Sequence, residues 1–259
     1  MLHTLHRLLE FLKYQKRAKS KYYLHSPFIY QMYLNVLEST EKDDFKKLKY
    51  QHSPLYHSPK IVQIEDMGAV QRTIERQLST IASRASMPTK YGQMLYRLVS
   101  YFNPKTIIEL GTCLGIGTSY LATASPTSAI TTIEGSATLS EIAKSNFREW
   151  GLFNITSLKG HFDTVLPPLL ASSPPIDMVF IDGNHRYEPT LRYFQLLMQY
   201  SHAGTILIFD DIYWSSEMTK AWTAIKADPR ISVTIDLYRM GICFLRTDTL
   251  AKEDFVLRY

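Results

Sequence analysis

The sequence is poor in the features that announce several protein classes. Two cysteines, Cys113 and Cys243, in 259 residues exclude a disulfide scaffold, and no CxxC pair or Cys/His cluster points to zinc, so a reducing compartment is expected. No apolar run approaches the ~20 residues that cross a bilayer. The opening stretch MLHTLHRLLEFLKYQKRAKSKYY breaks its leucines with His, Arg and Glu every few positions, so no signal peptide is expected and cytoplasmic residence follows. Only 11 glycines and 12 prolines, beside 45% hydrophobic and 20% charged residues, exclude collagen-like, low-complexity and disordered chains. Excess charge is also scarce over most of the length. Residues 1–60 hold eleven Lys and Arg against five Asp and Glu, whereas the rest hold eighteen against nineteen, so the formal net charge of +5 belongs to the N-terminal quarter.

What is present is a long alternation of short β-branched runs with helical patterns, the sequence form of a parallel sheet. Thr106 to Leu110, Ala129 to Glu134, Ile155 to Leu158, Asp177 to Ile181 and Thr205 to Phe209 read as buried strands. Helical spacing or helix-start signals fall at Ser119 to Thr123, Leu139 to Trp150, Asp163 to Leu170, Glu188 to Tyr200 and Glu217 to Ala227. The runs ISVTIDL and ICFLR then predict an antiparallel hairpin at the sheet edge. Residues 1–86 read differently: a basic amphipathic helix on Leu5, Leu8, Leu9 and Leu12, Tyr-rich sequence, and a helical pattern near Ala69 to Ala85, with no strand pattern. The expected fold class is α/β: a Rossmann-like, seven-stranded, mostly parallel sheet with an antiparallel edge hairpin, plus an N-terminal helical extension over residues 1–86 and the main domain over 87–259.

The stretch IIELGTCLGIGTSYLA, residues 107–122, is the most informative. A strand containing Glu109 ends in a turn built on Gly111, Gly115 and Gly117, and Thr118 or Ser119 can open the next helix. Such glycines allow a tight turn and close ligand approach, with free N–H groups at the helix start, although a purely structural turn has the same form. The dinucleotide fingerprint fails because Tyr120 stands where its third glycine should be. The P-loop fails for want of Gly-Lys-Ser/Thr. The spacing imitates NAD(P)-dependent short-chain dehydrogenases, but their Tyr-x-x-x-Lys pair should lie downstream, and here Tyr101 and Lys105 precede the turn.

The remaining pattern, E-x-G-x-x-x-G-x-G, resembles the first motif of class I S-adenosylmethionine-dependent methyltransferases, especially the small-molecule O-methyltransferase branch, over about Met87 to Arg246. The resemblance implies S-adenosyl-L-methionine as cofactor. Glu109, Gly111, Thr112, Gly115, Gly117 and Thr118 would then hold its methionine end, and Glu134, ending the second strand, would accept hydrogen bonds from the ribose hydroxyls. Gly160, His161 and Phe162 fall where that family contacts adenine; the same residues also suit a plain strand-to-helix turn with Asp163 as N-cap.

A second constellation joins VFIDGNHRYEPTL to TILIFDDIYW. Asp182, Asp210 and Asp211 follow two strands and should converge at the C-terminal edge of the sheet, where open α/β folds bind ligands. Close like charges need a cation or a proton, and three oxygen ligands suit Mg²⁺ or another divalent ion. Metal-dependent catechol-type methyltransferases resemble this arrangement, with Asn where this chain has Asp211. Asp182 counts toward the cofactor as well as the catalytic and metal sets. That family's general-base lysine stands three residues beyond the first Asp; the same offset here gives His185, a candidate base or a wall of the cofactor pocket. D-G-x-H-x-Y-E with a later Asp-Asp also resembles a broader methyltransferase family, more closely than the catechol type.

The implied partner is a small-molecule acceptor carrying a hydroxyl. Nucleic acid is disfavoured, because Ile-Asp-Gly stands where base-modifying methyltransferases carry Asn/Asp-Pro-Pro-Tyr/Phe. A non-catalytic cofactor- or RNA-binding relative is the alternative from another class. The basic extension leaves a lid, a homodimer contact or a docking surface open.

Overall fold

The computed structural model describes residues 2–38, 45–66, 72–248 and 251–259. The chain opens with α1 (Leu2–Arg17), a short 3₁₀ turn at Lys21–Tyr23, and α2 (Pro27–Met32), which runs into a π turn at Tyr33–Leu37. After α3 (Lys46–His57) come β1 (Ile61–Asp66), β2 (Arg72–Gln77), α4 (Leu78–Arg84) and α5 (Thr89–Phe102). Strands and helices then alternate: β3 (Thr106–Leu110), α6 (Ile116–Ala124), β4 (Ala129–Glu134), α7 (Ala137–Trp150), β5 (Ile155–Lys159), α8 (Phe162–Ser172), β6 (Ile176–Ile181), α9 (Tyr187–Met198) and β7 (Ser201–Phe209). The chain ends with α10 (Ser216–Ala227), β8 (Val233–Asp236), β9 (Gly241–Phe244) and β10 (Glu253–Val256).

The large sheet has eight strands in the order β10-β8-β9-β7-β6-β3-β4-β5. Its α/β, mostly parallel character is the one expected, and its central strands are continuous apolar runs because helices cover both faces of such a sheet. The expected hairpin forms, with β8 and β9 antiparallel, Val233 opposite Phe244 and Asp236 opposite Gly241. It is not the edge. β10 pairs parallel to β8 and makes the eighth strand; EDFV offers only two apolar side chains, too weak a pattern to read as a strand unaided.

The extension also departs from an all-helical reading. β1 and β2 form an antiparallel hairpin of their own, Ile61 opposite Gln77 and Ile64 opposite Ile74. The predicted helix near Ala69 to Ala85 survives only as α4, and residues 67–71 lie outside the described residues. Ile74, Leu78 and Ile81 are spaced as on a helix, but cross-strand pairing claims Ile74, and a strand as polar as RTIERQ leaves little alternation to read.

Two compact units emerge, one of residues 32–169 and one of residues 1–31 with 170–259. In the first, β3, β4 and β5 run parallel, Ile107 beside Ile130 and Ile133 beside Leu158. α7 starts at Ser136, whose hydroxyl accepts from the Leu139 N–H at 3.3 Å, and stops at Gly151 in the left-handed region at φ 71°. In the second, β6 runs parallel to β7, and β9 antiparallel to it, with Phe209 opposite Gly241. Ser215 caps α10 in the same way, accepting from the Met218 N–H at 3.2 Å. Among the described residues no helix is long and apolar enough to cross a membrane.

Candidate functional site

In the unit of residues 32–169, the glycine turn is shaped by steric and backbone demands. Gly111 and Gly115 have φ of 108° and 82°, a region costly for side-chain-bearing residues. A Cβ on Gly115 would also lie 2.4 Å from Phe147 Cε1. The Gly111 N–H donates to the Ile133 carbonyl at 3.0 Å, and Asn146 Nδ2 donates to the Leu114 carbonyl at 2.9 Å, which ties the turn to β4 and α7.

Beneath the turn, Glu109 is 1% exposed. One of its oxygens accepts from the hydroxyls of Thr118 (2.5 Å) and Thr132 (2.6 Å), and Thr132 also pairs with Thr112 at 2.5 Å. Burial pushes the Glu109 carboxyl up to about 7 against the pull of the two hydroxyls. The side chains of Glu109, Thr112 and Thr118 are thus engaged with one another under the loop and hold its shape. Gly111, Gly115 and Gly117 add no side chain to the loop.

Glu134 differs. Its Oε2 accepts from the Cys113 N–H at 2.8 Å and its Oε1 from the Ser136 N–H at 2.9 Å, so the carboxylate is oriented by the turn on one side and the start of α7 on the other. Burial raises its pKa, with those backbone N–H groups opposing. Gly160 is brought alongside, its N–H donating to the Glu134 carbonyl at 2.9 Å. With φ at 146° and Val165 Cγ2 only 2.6 Å from where a Cβ would stand, Gly160 too has no room for a side chain. The His161 carbonyl accepts from the N–H groups of Thr164 and Val165, so α8 begins at Phe162 and Asp163 lies within its first turn, not at the cap.

Three supporting residues carry no sequence signal. Ser136 donates to Glu65 Oε2 at 2.5 Å, so the hairpin of β1 and β2 braces the start of α7 beside Glu134. His52, on α3, packs its ring 5.5 Å from Tyr120 and 5.1 Å from Trp150, and its Nε2 lies 2.8 Å from Ser119 Oγ. Because that hydroxyl donates to the Ile116 carbonyl, His52 Nε2 is the donor. Burial lowers the His52 pKa to about 4, so it stays neutral and supports α6. Pairing patterns that only the folded chain supplies bring these side chains to the loop.

In the unit of residues 1–31 and 170–259, Asp182 follows β6, and Asp210 and Asp211 follow β7. Asp210 is 0% exposed, and its N–H donates to the Ile181 carbonyl at 2.9 Å. Its two oxygens receive Arg239 Nε at 2.9 Å and Nη2 at 2.7 Å, a bidentate pair. Asp211, in the left-handed region at φ 53°, lies 3.8 Å from the same guanidinium. Burial opposes the Arg239 charge, but Asp210 and Asp211 outweigh it and hold the guanidinium protonated. His185 Nε2 lies 3.6 Å from Asp182 Oδ1. Among the described residues no set of three or more His, Cys, Asp and Glu side chains is arranged to hold a metal ion.

Sequence reasoning named the acids and missed Arg239. The signal was the hairpin: with Phe209 opposite Gly241, antiparallel register carries residues just before Gly241 toward those just after Phe209. Of the nearby aromatics, Tyr213 is buried and stacks on Tyr238 at 5.7 Å, whereas Trp214 is half-exposed under Arg7.

Residues 108–212 match the methyltransferase-domain family. A catechol O-methyltransferase of Niastella koreensis is 30% identical over 130 residues, 49% of this chain and 58% of that protein, so the chain covers less than two thirds of that relative's length. Among solved structures, the O-methyltransferase TomG from Streptomyces achromogenes in complex with SAM superposes with a TM-score of 0.54 at 20% identity, over 62% of this chain and 82% of that one. Cofactor-bound Rv0187 from MTB reaches 0.60 at 18% identity, over 81% and 94%. These structural likenesses agree with the α/β fold and its mostly parallel sheet, and residues 108–212 are the part of this chain that is similar to methyltransferase domains.

Proposed function

We propose that the chain is an S-adenosylmethionine-dependent O-methyltransferase acting on a small hydroxylated molecule, with residues 87–259 as the methyltransferase domain and residues 1–86 as its extension. The observation that carries this reading is Glu134, fixed by the Cys113 and Ser136 N–H groups at the mouth of a backbone-lined glycine turn. A carboxylate so held suits a vicinal diol, and a turn built on three glycines suits the amino-acid end of the cofactor. S-Adenosylmethionine, when bound, supplies a methyl group on a cationic sulfur. Gly111, Gly115 and Gly117 would hold its methionine portion, Glu134 the ribose, and Gly160, His161 and Phe162 the adenine. His185 would take the acceptor's hydroxyl proton, with Asp182 Oδ1 3.6 Å from the ring orienting it.

A divalent ion does not suit the carboxylates as they stand. Both oxygens of Asp210 are engaged by Arg239, and the guanidinium already supplies the positive charge that adjoining acids require. No step is therefore assigned to a metal. Initial rates are expected to be equal in EDTA and in Mg²⁺; a rate that collapses on chelation and returns with Mg²⁺ overturns this assignment.

Calorimetry with S-adenosylhomocysteine tests the central reading, with NADPH as the control. Binding of S-adenosylhomocysteine alone is expected. Binding of NADPH in its place sinks the methyltransferase reading in favour of an oxidoreductase. A screen of hydroxylated metabolites with methyl-labelled cofactor would then identify the acceptor class.

A further inference from the structure

Helix α1 is mounted with its polar side inward. At 100° per residue, His6, Arg7, Glu10, Phe11 and Tyr14 share one face, and that face is the one attached to the protein. His6 Nε2 lies 3.0 Å from Thr219 Oγ1, the Arg7 guanidinium sits 4.8 Å over the Trp214 ring, and the Arg7 carbonyl accepts from Tyr238 Oη at 2.8 Å. Phe11 meets Tyr238 edge-on at 5.1 Å, and Tyr14, 4% exposed, donates to the Leu257 carbonyl at 2.6 Å. The opposite face holds Leu5, Leu8, Leu9 and Leu12, which are 55%, 54%, 49% and 51% exposed. A surface helix normally does the reverse and buries its apolar stripe.

Charge says what would cover that stripe. Residues 1–23 carry six Lys and Arg and a single acid, Glu10. Glu10 is turned inward, its side chain 12% exposed, and is paired with Lys13 at 2.7 Å, so the outward leucines have cations beside them and no carboxylate. Lys16 and Arg17 close the helix at its C-terminal end. Directly after it, Tyr22 and Tyr23 are 83% and 63% exposed, with Lys21 and Lys19 over their rings. Leucines flanked by cations and followed by exposed tyrosines make the pattern of a helix lying in a bilayer interface, where acyl chains take the leucines, headgroup phosphates the cations, and the boundary the tyrosines. A second copy of the chain fits less well. Two such faces would bring together two sets of cations, and four leucines are far fewer than the about 20 residues a side of a stable dimer.

We propose that α1 is a membrane-docking helix that holds this protein on an anionic lipid surface through Leu5, Leu8, Leu9 and Leu12, with Lys13 and Lys16 supplying the charge contacts. This is an association with one leaflet, without a spanning segment. It would place the domain where an acceptor of low water solubility is concentrated.

The test uses the full chain with sedimented vesicles of phosphatidylcholine alone and of phosphatidylcholine with phosphatidylserine, each at low and high salt. Retention on the phosphatidylserine vesicles, weakened by salt, is expected. Replacing Lys13 and Lys16 by Gln should lower the partition coefficient by roughly fivefold per cation. Leu8→Ser with Leu12→Ser should abolish retention at either salt concentration. These leucines are exposed, so the double variant should keep the wild-type melting temperature and S-adenosylhomocysteine affinity, which separates lost docking from lost folding. No retention on either vesicle overturns the proposal. So does a concentration-dependent dimer in sedimentation velocity that the double variant abolishes, or retention that the leucine substitutions leave intact.

Discussion

Each compact unit buries a carboxylate near the end of a central strand, and the two are neutralised by different chemistry. Glu109 faces two threonine hydroxyls, and burial lifts its pKa to about 7. Asp210 faces a guanidinium through two short bonds. Hydroxyls can satisfy a carboxyl group in either protonation state, donating to the anion and accepting from the acid, so Glu109 is free to lose its charge. A guanidinium can only donate, so Arg239 favours the Asp210 anion, against burial and the neighbouring Asp211, which raise its pKa. A support able to lose its charge suits a loop that must approach a ligand by its backbone, and an ion pair suits a cluster in which Asp182 and Asp211 add further negative charge.

The strongest way to break this contrast is Arg239→Ala. It would leave Asp210 buried without its cation, a change that typically costs about 3–5 kcal/mol. Urea denaturation at neutral pH should show a loss of that size, with Arg239→Lys recovering part of it. Unchanged stability would mean that Asp210 is uncharged in the folded protein, and the two sites would then be alike.

The next effect is a pH dependence confined to Glu109. Its folded-state pKa lies above its unfolded value of 4.5, so its contribution is fully present below pH 4.5 and is lost as pH rises through about 7. Over that window the wild type should lose up to about 3 kcal/mol relative to Glu109→Gln, which can still accept from the threonines but does not titrate. Denaturation midpoints of the two proteins measured from pH 4.5 to 8 should therefore converge or cross as pH rises. Parallel curves would show that Glu109 is charged throughout, like Asp210.

The same contrast explains what the sequence revealed. β3 and β4 occupy the predicted residues, because the β-branched runs TIIEL and AITTIE stand as short blocks between helical patterns. The acids were legible by position, since the ends of parallel strands are where such folds bind ligands. Their neutralisers were not. Thr132 lies on the strand beside β3, and Arg239 reaches Asp210 only through the register of a hairpin 29 residues later. Glu65 is hidden for a further reason: the strand that carries it is recognisable only once β2 has paired with it. Local periodicity reports burial, whereas partners depend on pairing between distant segments.

The smallest of these effects separates the backbone role of the turn from the charge beneath it. Gly115→Ala leaves Glu109, Thr118 and Glu134 untouched, but it places a Cβ 2.4 Å from Phe147 at a residue with φ 82°. Strain of this kind costs of order 1–3 kcal/mol, and the turn can relieve it only by shifting its N–H groups. Affinity for S-adenosylhomocysteine, read by calorimetry, should fall at least tenfold while the pH dependence attributed to Glu109 persists, because that carboxyl and its hydroxyls stay in place. An alanine variant that binds as tightly as the wild type would move recognition away from the loop backbone and onto Glu134 alone. A variant that also loses the pH dependence would show that loop shape and the Glu109 environment are one unit, and the neutral support would then be a consequence of the turn, not its cause.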